Sequence, residues 1–172
     1  MKIVVVSDNH GDTYYMEELL SIHSEDTDAW FHCGDSELPE DHPLFQNYQT
    51  VEGNMDFANK LKLSRLEEIQ GELFLIAHGH KHKVKQSYDR LKEEAKKAGC
   101  RFVFYGHTHV AKVAEEEGIY FVNPGSLTQP RDRHKGTYLV LTIDEDKTTA
   151  TFDFYDKDHN SIPEISQSIH LN

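Results

Sequence analysis

The sequence contains few of the residues that mark several large classes of protein. It has two cysteines in 172 residues, Cys33 and Cys100, which is too few for a disulfide framework, so we expect a reducing, cytoplasmic location. No apolar run approaches the roughly 18 residues that would span a membrane, and the first ten residues lack the apolar core of a signal peptide. Positive charge is also scarce, since 18 Lys and Arg stand against 30 Asp and Glu, for a net charge of −12. We therefore expect no binding to duplex nucleic acid, because neutralising its phosphates requires clustered Lys and Arg.

Histidine, by contrast, is abundant. The chain has 12 His, more than its 10 Gly or its 9 Phe, and His is both a common metal ligand and a proton carrier. The length and the 37% hydrophobic content are sufficient for a buried core. Since no internal repeat or low-complexity linker divides the sequence, we predict a single domain over residues 1–172.

The hydrophobic pattern predicts a mixed α/β fold. Helical spacing predicts one helix over residues 14–24, capped by Thr13, and a second that begins near Tyr88 and stops at Gly99. Short apolar runs predict strands at residues 2–6, 29–33, 50–51, 73–77, 101–105, 119–122, 137–143 and 149–155. Both helices precede Cys100 and strands dominate after it, which favours two packed sheets with helices on their outer faces.

Five of these strands are followed by side chains that can bind a metal ion. The segments are Asp8-Asn9-His10, Gly34-Asp35, Gly53-Asn54, His78-Gly79-His80 and Gly106-His107-Thr108-His109. Because open α/β sheets bind ligands at the carboxyl ends of their strands, neighbouring strands would bring the segments to one rim. Oxygen and nitrogen donors with no required thiolate suit Mn, Fe, Zn or Co, and their number fits two ions better than one.

These segments resemble the pattern of the calcineurin-like metallophosphoesterase superfamily, and within it the small bacterial YfcE/YsnB-like phosphodiesterases. That pattern is D-x-H, G-D, G-N-[HCN]-D, H and G-H-x-H, and all five blocks occur here in that order. The segment Asn123-Pro124-Gly125-Ser126 follows, as it does in the small bacterial members, and the resemblance covers about residues 1–143. It implies a two-sheet β-sandwich flanked by helices, in the four-layer architecture of that superfamily.

The resemblance also implies a dinuclear metal centre. One ion would be bound by Asp8, His10, Asp35 and His109, and the other by Asp35, Asn54, His78 and His107. Asp35 would then be the bridging carboxylate. Two divalent cofactor ions are expected, with Mn as the first choice and Ni, Zn, Fe, Co or Mg as alternatives.

A centre of this kind hydrolyses phosphate esters. Two divalent ions about 3.5–4 Å apart can hold a bridging hydroxide, which attacks phosphorus in line with the leaving oxygen. Asp35, Asn54, His78 and His107 would be catalytic through the ions and that water. The expected substrate is a small phosphate ester, and we expect a diester rather than a monoester. The resemblance further suggests a homo-oligomer.

The sequence departs from the family pattern at the expected proton donor. Larger members have His directly after Gly-Asn, but this chain has Met55, which cannot carry a proton. We therefore predict a preference for esters with good leaving groups. His80, His82 and His134 are alternative proton donors, and His80 and Arg131 are candidate substrate-binding residues.

Other functions remain open at this point. The chain could be a metal-binding protein-interaction scaffold of the same fold with little or no catalysis, as is thought for the eukaryotic retromer subunit. The seven intact ligand residues favour an enzyme over that alternative. A metallo-β-lactamase would need H-x-H-x-D-H and a zincin H-E-x-x-H, and the sequence contains neither string.

Overall fold

The computed structural model describes residues 1–56 and 60–172. Two α-helices lie in this part of the chain, α1 (Tyr14–His23) and α2 (Asp89–Ala98), with a short 3₁₀ helix at Pro43–Gln46. The strands are β1 (Lys2–Val6), β2 (Ala29–His32), β3 (Tyr48–Thr50), β4 (Ser64–Ile69), β5 (Glu72–Ala77), β6 (Phe102–Phe104), β7 (Lys112–Glu116), β8 (Ile119–Asn123), β9 (Thr137–Ile143), β10 (Thr149–Asp156) and β11 (Gln167–His170). No described helix is both long and apolar enough to cross a membrane.

The strands form two mixed sheets. The first sheet has the order β11-β10-β9-β1-β2-β3, and the second has the order β4-β5-β6-β8-β7. Strands β1, β2 and β3 run parallel to one another in the first sheet, as do β5, β6 and β8 in the second. The remaining neighbours pair antiparallel. The predicted α/β fold with two sheets is therefore confirmed.

Alternate residues of each central strand face different layers. Ile3 and Val5 of β1 join the core between the two sheets, where the ring of Phe31 lies 5.8 Å from that of Phe74. Val4 and Val6 instead pack with the helix α1 on the outer face of the first sheet. Because both faces of β1 are covered, its sequence is a continuous apolar run rather than an alternating one.

The second sheet is covered in the same way. Leu91 and Ala95 of α2 pack against Leu75 and Val103 on its outer face. Helix α2 ends at Gly99, whose φ of +72° lets its N–H bond to the last carbonyls of the helix, as the sequence predicts. The layers thus follow one another as helix, sheet, sheet, helix, which agrees with the expected four-layer architecture.

Several local predictions were wrong. The third strand covers Tyr48–Thr50 rather than residues 50–51. The Thr13 side chain does not cap α1, and Asp12 Oδ1 instead accepts the N–H of Tyr14 at 2.9 Å. Strands β4, β7 and β11 were missed because they lie at sheet edges, where polar and charged residues replace the apolar run.

Candidate metal centre

The predicted ligand segments follow the carboxyl ends of β1, β2, β3, β5 and β6. Within the first sheet, Asp8 N–H donates to the Gly34 carbonyl at 3.1 Å, and in the second, Gly106 N–H donates to the His78 carbonyl at 3.0 Å. His78 Nδ1 donates to the Cys33 carbonyl at 2.7 Å and so joins the two sheets. The segments therefore meet at one rim, as the strand pattern predicted.

The backbone at this rim is unusual. Five of the predicted ligands have positive φ angles: Asp8 (54°), His10 (46°), Asp35 (56°), His107 (68°) and His109 (58°). Non-glycine residues seldom adopt this left-handed region, and such conformations cost on the order of 1–3 kcal/mol each. They persist only where the surrounding structure enforces them, and they concentrate at functional sites.

Asp8, His10 and His109 form the first group of converging donor atoms. Asp8 Oδ1 lies 3.1 Å from His109 Nε2 and 3.9 Å from His10 Nε2, and the two Nε2 atoms are 3.3 Å apart. His109 Nδ1 donates to the Gln129 carbonyl at 2.7 Å, which leaves Nε2 as the atom for a ligand. A backbone carbonyl on the second ring nitrogen is the usual arrangement of a metal-binding His.

The second group consists of Asp8, Asp35 and His78. His78 Nε2 lies 3.2 Å from Asp35 Oδ2, 3.9 Å from Asp8 Oδ1 and 3.0 Å from Asn54 Oδ1. Its Nδ1 is occupied by the Cys33 carbonyl, so Nε2 again faces the site. The imidazole therefore points its lone pair at three oxygen acceptors, an arrangement that requires a cation or a proton between them.

His107 and Asp35 complete the predicted set. The His107 ring lies 5.1 Å from that of His78, and its backbone N–H donates to Asp8 Oδ2 at 3.2 Å. Asp8 is the carboxylate common to both groups of close donor atoms, whereas the resemblance implied Asp35 as the bridge. One oxygen of Asp35 is engaged, since Oδ1 accepts the N–H of Met55 at 2.8 Å, and Oδ2 is the one nearest His78. The ligand set and the identity of the bridge stay predictions.

The electrostatics of the rim favour positive charge. Burial raises the pKa of Asp8, but the close imidazoles of His109 and His78 lower it by more. Burial likewise raises the pKa of Asp35, and His78 then brings it down to about 2. The pKa of His109 is raised by its contact with Asp8, and that of His78 is raised because Asp35 and Asp8 outweigh its burial. The same carboxylates would stabilise a bound divalent cation.

The residues present fit a metal ion. Asp8 Oδ1 is buried and accepts no hydrogen bond from any residue that the structure describes, although His109 Nε2 lies 3.1 Å away. A buried carboxylate oxygen without a hydrogen-bond partner is costly unless a cation satisfies it. With Nε2 of both His78 and His109 aimed at this region, the donor set matches the nitrogen and oxygen ligands of Mn, Fe or Zn.

The predicted substrate residues and proton donors are divided among different places. A cleft of about 350 Å³ opens over the rim, and it contains Arg131 and Met55, together with Lys85, to which sequence reasoning gave no role. His80 lines a neighbouring cavity of about 420 Å³ instead, and the two cavities share Asn54.

Two of the alternative proton donors lie away from the cleft. His82 Nε2 contacts Glu94 Oε2 of α2 at 2.8 Å, and His134 is exposed. Neither residue lines the cleft in the described part of the chain, so the structure gives no support to either of them as a proton donor. His80 does not line the cleft either, but the cavity that it lines shares Asn54 with the cleft.

Two further residues support the site. Asp56 is buried, and its carboxylate accepts hydrogen bonds from the loop that carries Asp35. Ser126 Oγ donates to the Asp8 carbonyl at 2.7 Å, from the segment that follows β8. The motif contained both residues, but their hydrogen-bond partners are distant in sequence and could not be predicted from it.

Comparison with known proteins gives consistent matches over most of the chain. Residues 1–146 match the calcineurin-like phosphoesterase superfamily domain. The chain is 34% identical over 171 residues to the probable metallophosphoesterase YsnB of Bacillus subtilis, covering 99% of this chain and 100% of that one. It is similar in structure to a predicted phosphoesterase from Streptococcus pneumoniae, with a TM-score of 0.92 and 34% identity. The match covers 98% of this chain and 97% of that one. The fold is also that of Vps29 from Entamoeba histolytica in complex with Zn²⁺, with a TM-score of 0.76, 19% identity and full coverage (100%) of both chains.

Proposed function

Because the chain belongs to the calcineurin-like phosphoesterase superfamily, we propose that it hydrolyses phosphodiesters with the help of two divalent metal ions. Its family and its full-length relative identify it more broadly as a metal-dependent phosphoesterase. The observation that carries the finer proposal is the pair of imidazoles of His78 and His109. Each uses Nδ1 on a backbone carbonyl and directs Nε2 toward a buried carboxylate, and both Nε2 atoms lie within 3.9 Å of Asp8 Oδ1.

Two such groups of donors suit two ions. Asp8, His10, Asp35 and His109 would hold one, and Asp35, Asn54, His78 and His107 the other, with Mn as the first choice. When bound, two divalent ions supply positive charge to the phosphoryl oxygens and lower the pKa of a water molecule into the neutral range.

The protein's own side chains would bind and orient the ester. Burial and the charges of His78 and Lys85 lower the pKa of His107 to about 4, so its imidazole is neutral near pH 7. A neutral imidazole offers one ring nitrogen to a cation and an N–H to a phosphoryl oxygen. The amide of Asn54 lies at the same cleft and can donate to a second oxygen in the same way.

One carboxylate of the cleft, that of Glu37, favours a diester over a monoester at the position beside His10. Besides Asp35, the carboxylate of Glu37 lines the cleft, and its Oε2 lies 3.7 Å from His10 Nδ1. A diester carries one negative charge on its phosphate, whereas a monoester carries close to two near neutral pH. Repulsion from Glu37 is therefore smaller for the diester.

The test is hydrolysis of bis(p-nitrophenyl) phosphate and p-nitrophenyl phosphate by metal-stripped protein as Mn²⁺, Ni²⁺, Zn²⁺ or Mg²⁺ is added back. We expect metal-dependent cleavage of the diester that Asp35→Asn and His107→Ala each abolish. The control is His170→Ala, which removes an exposed imidazole outside the cleft and should leave the rate unchanged. Tight metal binding without turnover of either ester would instead favour the scaffold function.

A further inference from the structure

Two cations lie at the cleft without belonging to the predicted metal ligands. Lys85 follows β5 and Arg131 follows β8, so they reach the cleft from two different loops. Neither side chain is in an ion pair with a carboxylate of residues 1–56 or 60–172. Both are therefore available to a bound molecule.

The loop that carries Arg131 is fixed to a predicted ligand. The Arg131 N–H donates to the His109 carbonyl at 3.0 Å, and the Gln129 carbonyl accepts from His109 Nδ1 at 2.7 Å. Ser126 Oγ further accepts the N–H of Gln129 at 2.8 Å. The backbone of Arg131 is thus held beside the rim, and its side chain extends from there.

The loop that carries Lys85 is fixed in a different way. The preceding residue, Val84, is 7% exposed and packs into the core beneath α2, and its N–H donates to the Gly79 carbonyl at 3.2 Å. A Cβ at Gly79, where φ is +105°, would lie 2.8 Å from Val84 Cγ1, so the absence of a side chain at Gly79 allows this contact. Lys85 therefore follows directly on the anchored Val84.

When the predicted ligands are left out, the side chains that line the cleft carry more positive than negative charge. Lys85 and Arg131 stand against one further carboxylate, that of Glu37. The protein as a whole has a net charge of −12, so an excess of cations at one place is a local feature. Arg presents a planar fork that binds phosphate or carboxylate through two hydrogen bonds, and Lys adds a point charge.

We propose that Lys85 and Arg131 form a cationic pair that selects phosphodiesters carrying a second anionic group, such as a further phosphate, beyond the ester that is cleaved. The inference rests on the proposed phosphodiesterase function and names the class of substrate for that site. The scissile phosphate would lie over the predicted ligands, and the second anion would lie between the two loops. The cleft volume of about 350 Å³ is within the usual range for small-molecule sites.

The experiment compares two substrates that differ only in the second anion. These are thymidine 5′-(p-nitrophenyl phosphate) and its 3′-phosphorylated derivative, which release the same leaving group. For the wild type we expect kcat/KM to be about tenfold higher with the 3′-phosphate, the value of one charge-assisted hydrogen bond. Lys85→Ala and Arg131→Ala should each lower this ratio, and the double variant should bring it close to one. Lys112→Ala removes the same charge from exposed β7 outside the cleft and should leave the ratio unchanged.

A binding measurement keeps the two proposals distinguishable. Calorimetric titration with thymidine 3′,5′-bisphosphate and thymidine 5′-monophosphate should show tighter binding of the bisphosphate, a preference that is reduced in each cleft variant and lost in the double variant. If the wild type binds the bisphosphate more tightly but cleaves neither ester, the phosphodiesterase function fails while the cationic pair stands. Equal kcat/KM for both esters in the wild type would overturn the proposed cationic pair. An equal fall in kcat/KM with both esters in the variants would also overturn it, because the cations would then act on the scissile phosphate.

Discussion

The carboxylate of Asp56 accepts the backbone N–H of Asp35 at 3.0 Å. It also accepts the N–H of Gly53 at 2.7 Å and that of Glu37 at 2.8 Å, so it ties the loop after β2 to the loop after β3. These two loops carry Asp35 and Asn54, two of the predicted ligands. A single buried carboxylate therefore holds one side of the candidate metal centre in place.

Replacing Asp56 should weaken metal binding. In Asp56→Asn, an NH₂ group replaces one carboxylate oxygen and must face an N–H donor of the loops, so that one buried donor loses its acceptor. Loss of such a supporting hydrogen bond typically costs about 10–100-fold in metal affinity. Calorimetric titration of the metal-stripped variant with Mn²⁺ measures this loss.

The matched control for Asp56 is Asp144→Asn. Asp144 caps an exposed turn between β9 and β10 by accepting the N–H of Thr148 at 2.7 Å and that of Thr149 at 3.0 Å. This variant should lower the Tm slightly and leave the Mn²⁺ affinity unchanged. An unaltered Mn²⁺ affinity in Asp56→Asn as well would show that the loop does not depend on this carboxylate.

A side chain at Gly106 should disrupt the rim. A Cβ built at this position would lie 2.2 Å from Ser7 Oγ and 2.6 Å from Asp8 Oδ2, much closer than atoms can approach. In Gly106→Ala the carboxylate of Asp8 must move, and overpacking of this kind costs about 1–3 kcal/mol. We expect both a lower free energy of unfolding, measured in urea, and loss of Mn²⁺ binding.

Gly118→Ala separates these two effects. Gly118 has a φ of +79° but open space around the position of a Cβ, so Ala there costs about 1–2 kcal/mol through the backbone alone. Its unfolding should resemble that of Gly106→Ala while Mn²⁺ binding is retained. Loss of Mn²⁺ binding in both variants would attribute the effect to stability rather than to Asp8.

The sequence predicted what depends on local pattern. The apolar run of β1, buried on both faces, and the Gly99 stop of α2 are local signals, and both were predicted correctly. Strand β4 was missed because Arg65, Glu67 and Glu68 interrupt its apolar pattern at a sheet edge. Edge strands owe their pairing to a neighbouring strand, which a local pattern does not reveal.

In the candidate site, too, the features that depend on local sequence were predicted and those that depend on distant contacts were not. The predicted ligands follow strands within a few residues, so the motif and the rule on strand ends were sufficient to bring them together. The roles of Asp56 and Lys85 were missed, because the first acts through backbone donors up to 21 residues away and the second through the turn that Val84 anchors. Contacts of this kind arise only when the chain has folded.

The stability of the metal-free protein should depend on pH through His32. This buried imidazole lies 2.7 Å from Asn9 Oδ1, to which its Nε2 donates, and its Nδ1 accepts the N–H of Gly34 at 3.0 Å. Burial lowers its pKa from 6.5 to about 4. Protons therefore bind to His32 preferentially in the unfolded chain between these pH values, and this residue contributes a rise of about 3 kcal/mol in the free energy of unfolding as pH increases from 4 to 6.5.

His32→Gln tests this dependence, because an amide can make both hydrogen bonds without titrating. Urea unfolding between about pH 4 and 7 should show a shallower rise for the variant than for the wild type. His170→Gln changes an exposed imidazole and should keep the wild-type slope. A wild-type slope in His32→Gln would mean that other groups carry the pH dependence.

A proton donor introduced at position 55 should extend the range of leaving groups. Met55 lines the cleft beside Asn54 and is 37% exposed, so an imidazole in its place would have room at the rim. General acid catalysis contributes about 10²–10⁴-fold when the donor is well placed, and it matters most for poor leaving groups. In Met55→His we expect kcat for diphenyl phosphate to rise by up to about 100-fold relative to that for bis(p-nitrophenyl) phosphate.

The pH profile and one further variant identify the cause of such a gain. A general acid must be protonated, so the new activity of Met55→His on diphenyl phosphate should fall at alkaline pH, where the imidazole loses its proton. Met55→Gln places a polar side chain of similar length at the same position without a titrating proton, and it should show neither the gain nor the new alkaline limb. An equal change with both esters in Met55→His would mean that position 55 affects the binding of phosphate rather than the departure of the leaving group, and the predicted preference for good leaving groups would then need another cause.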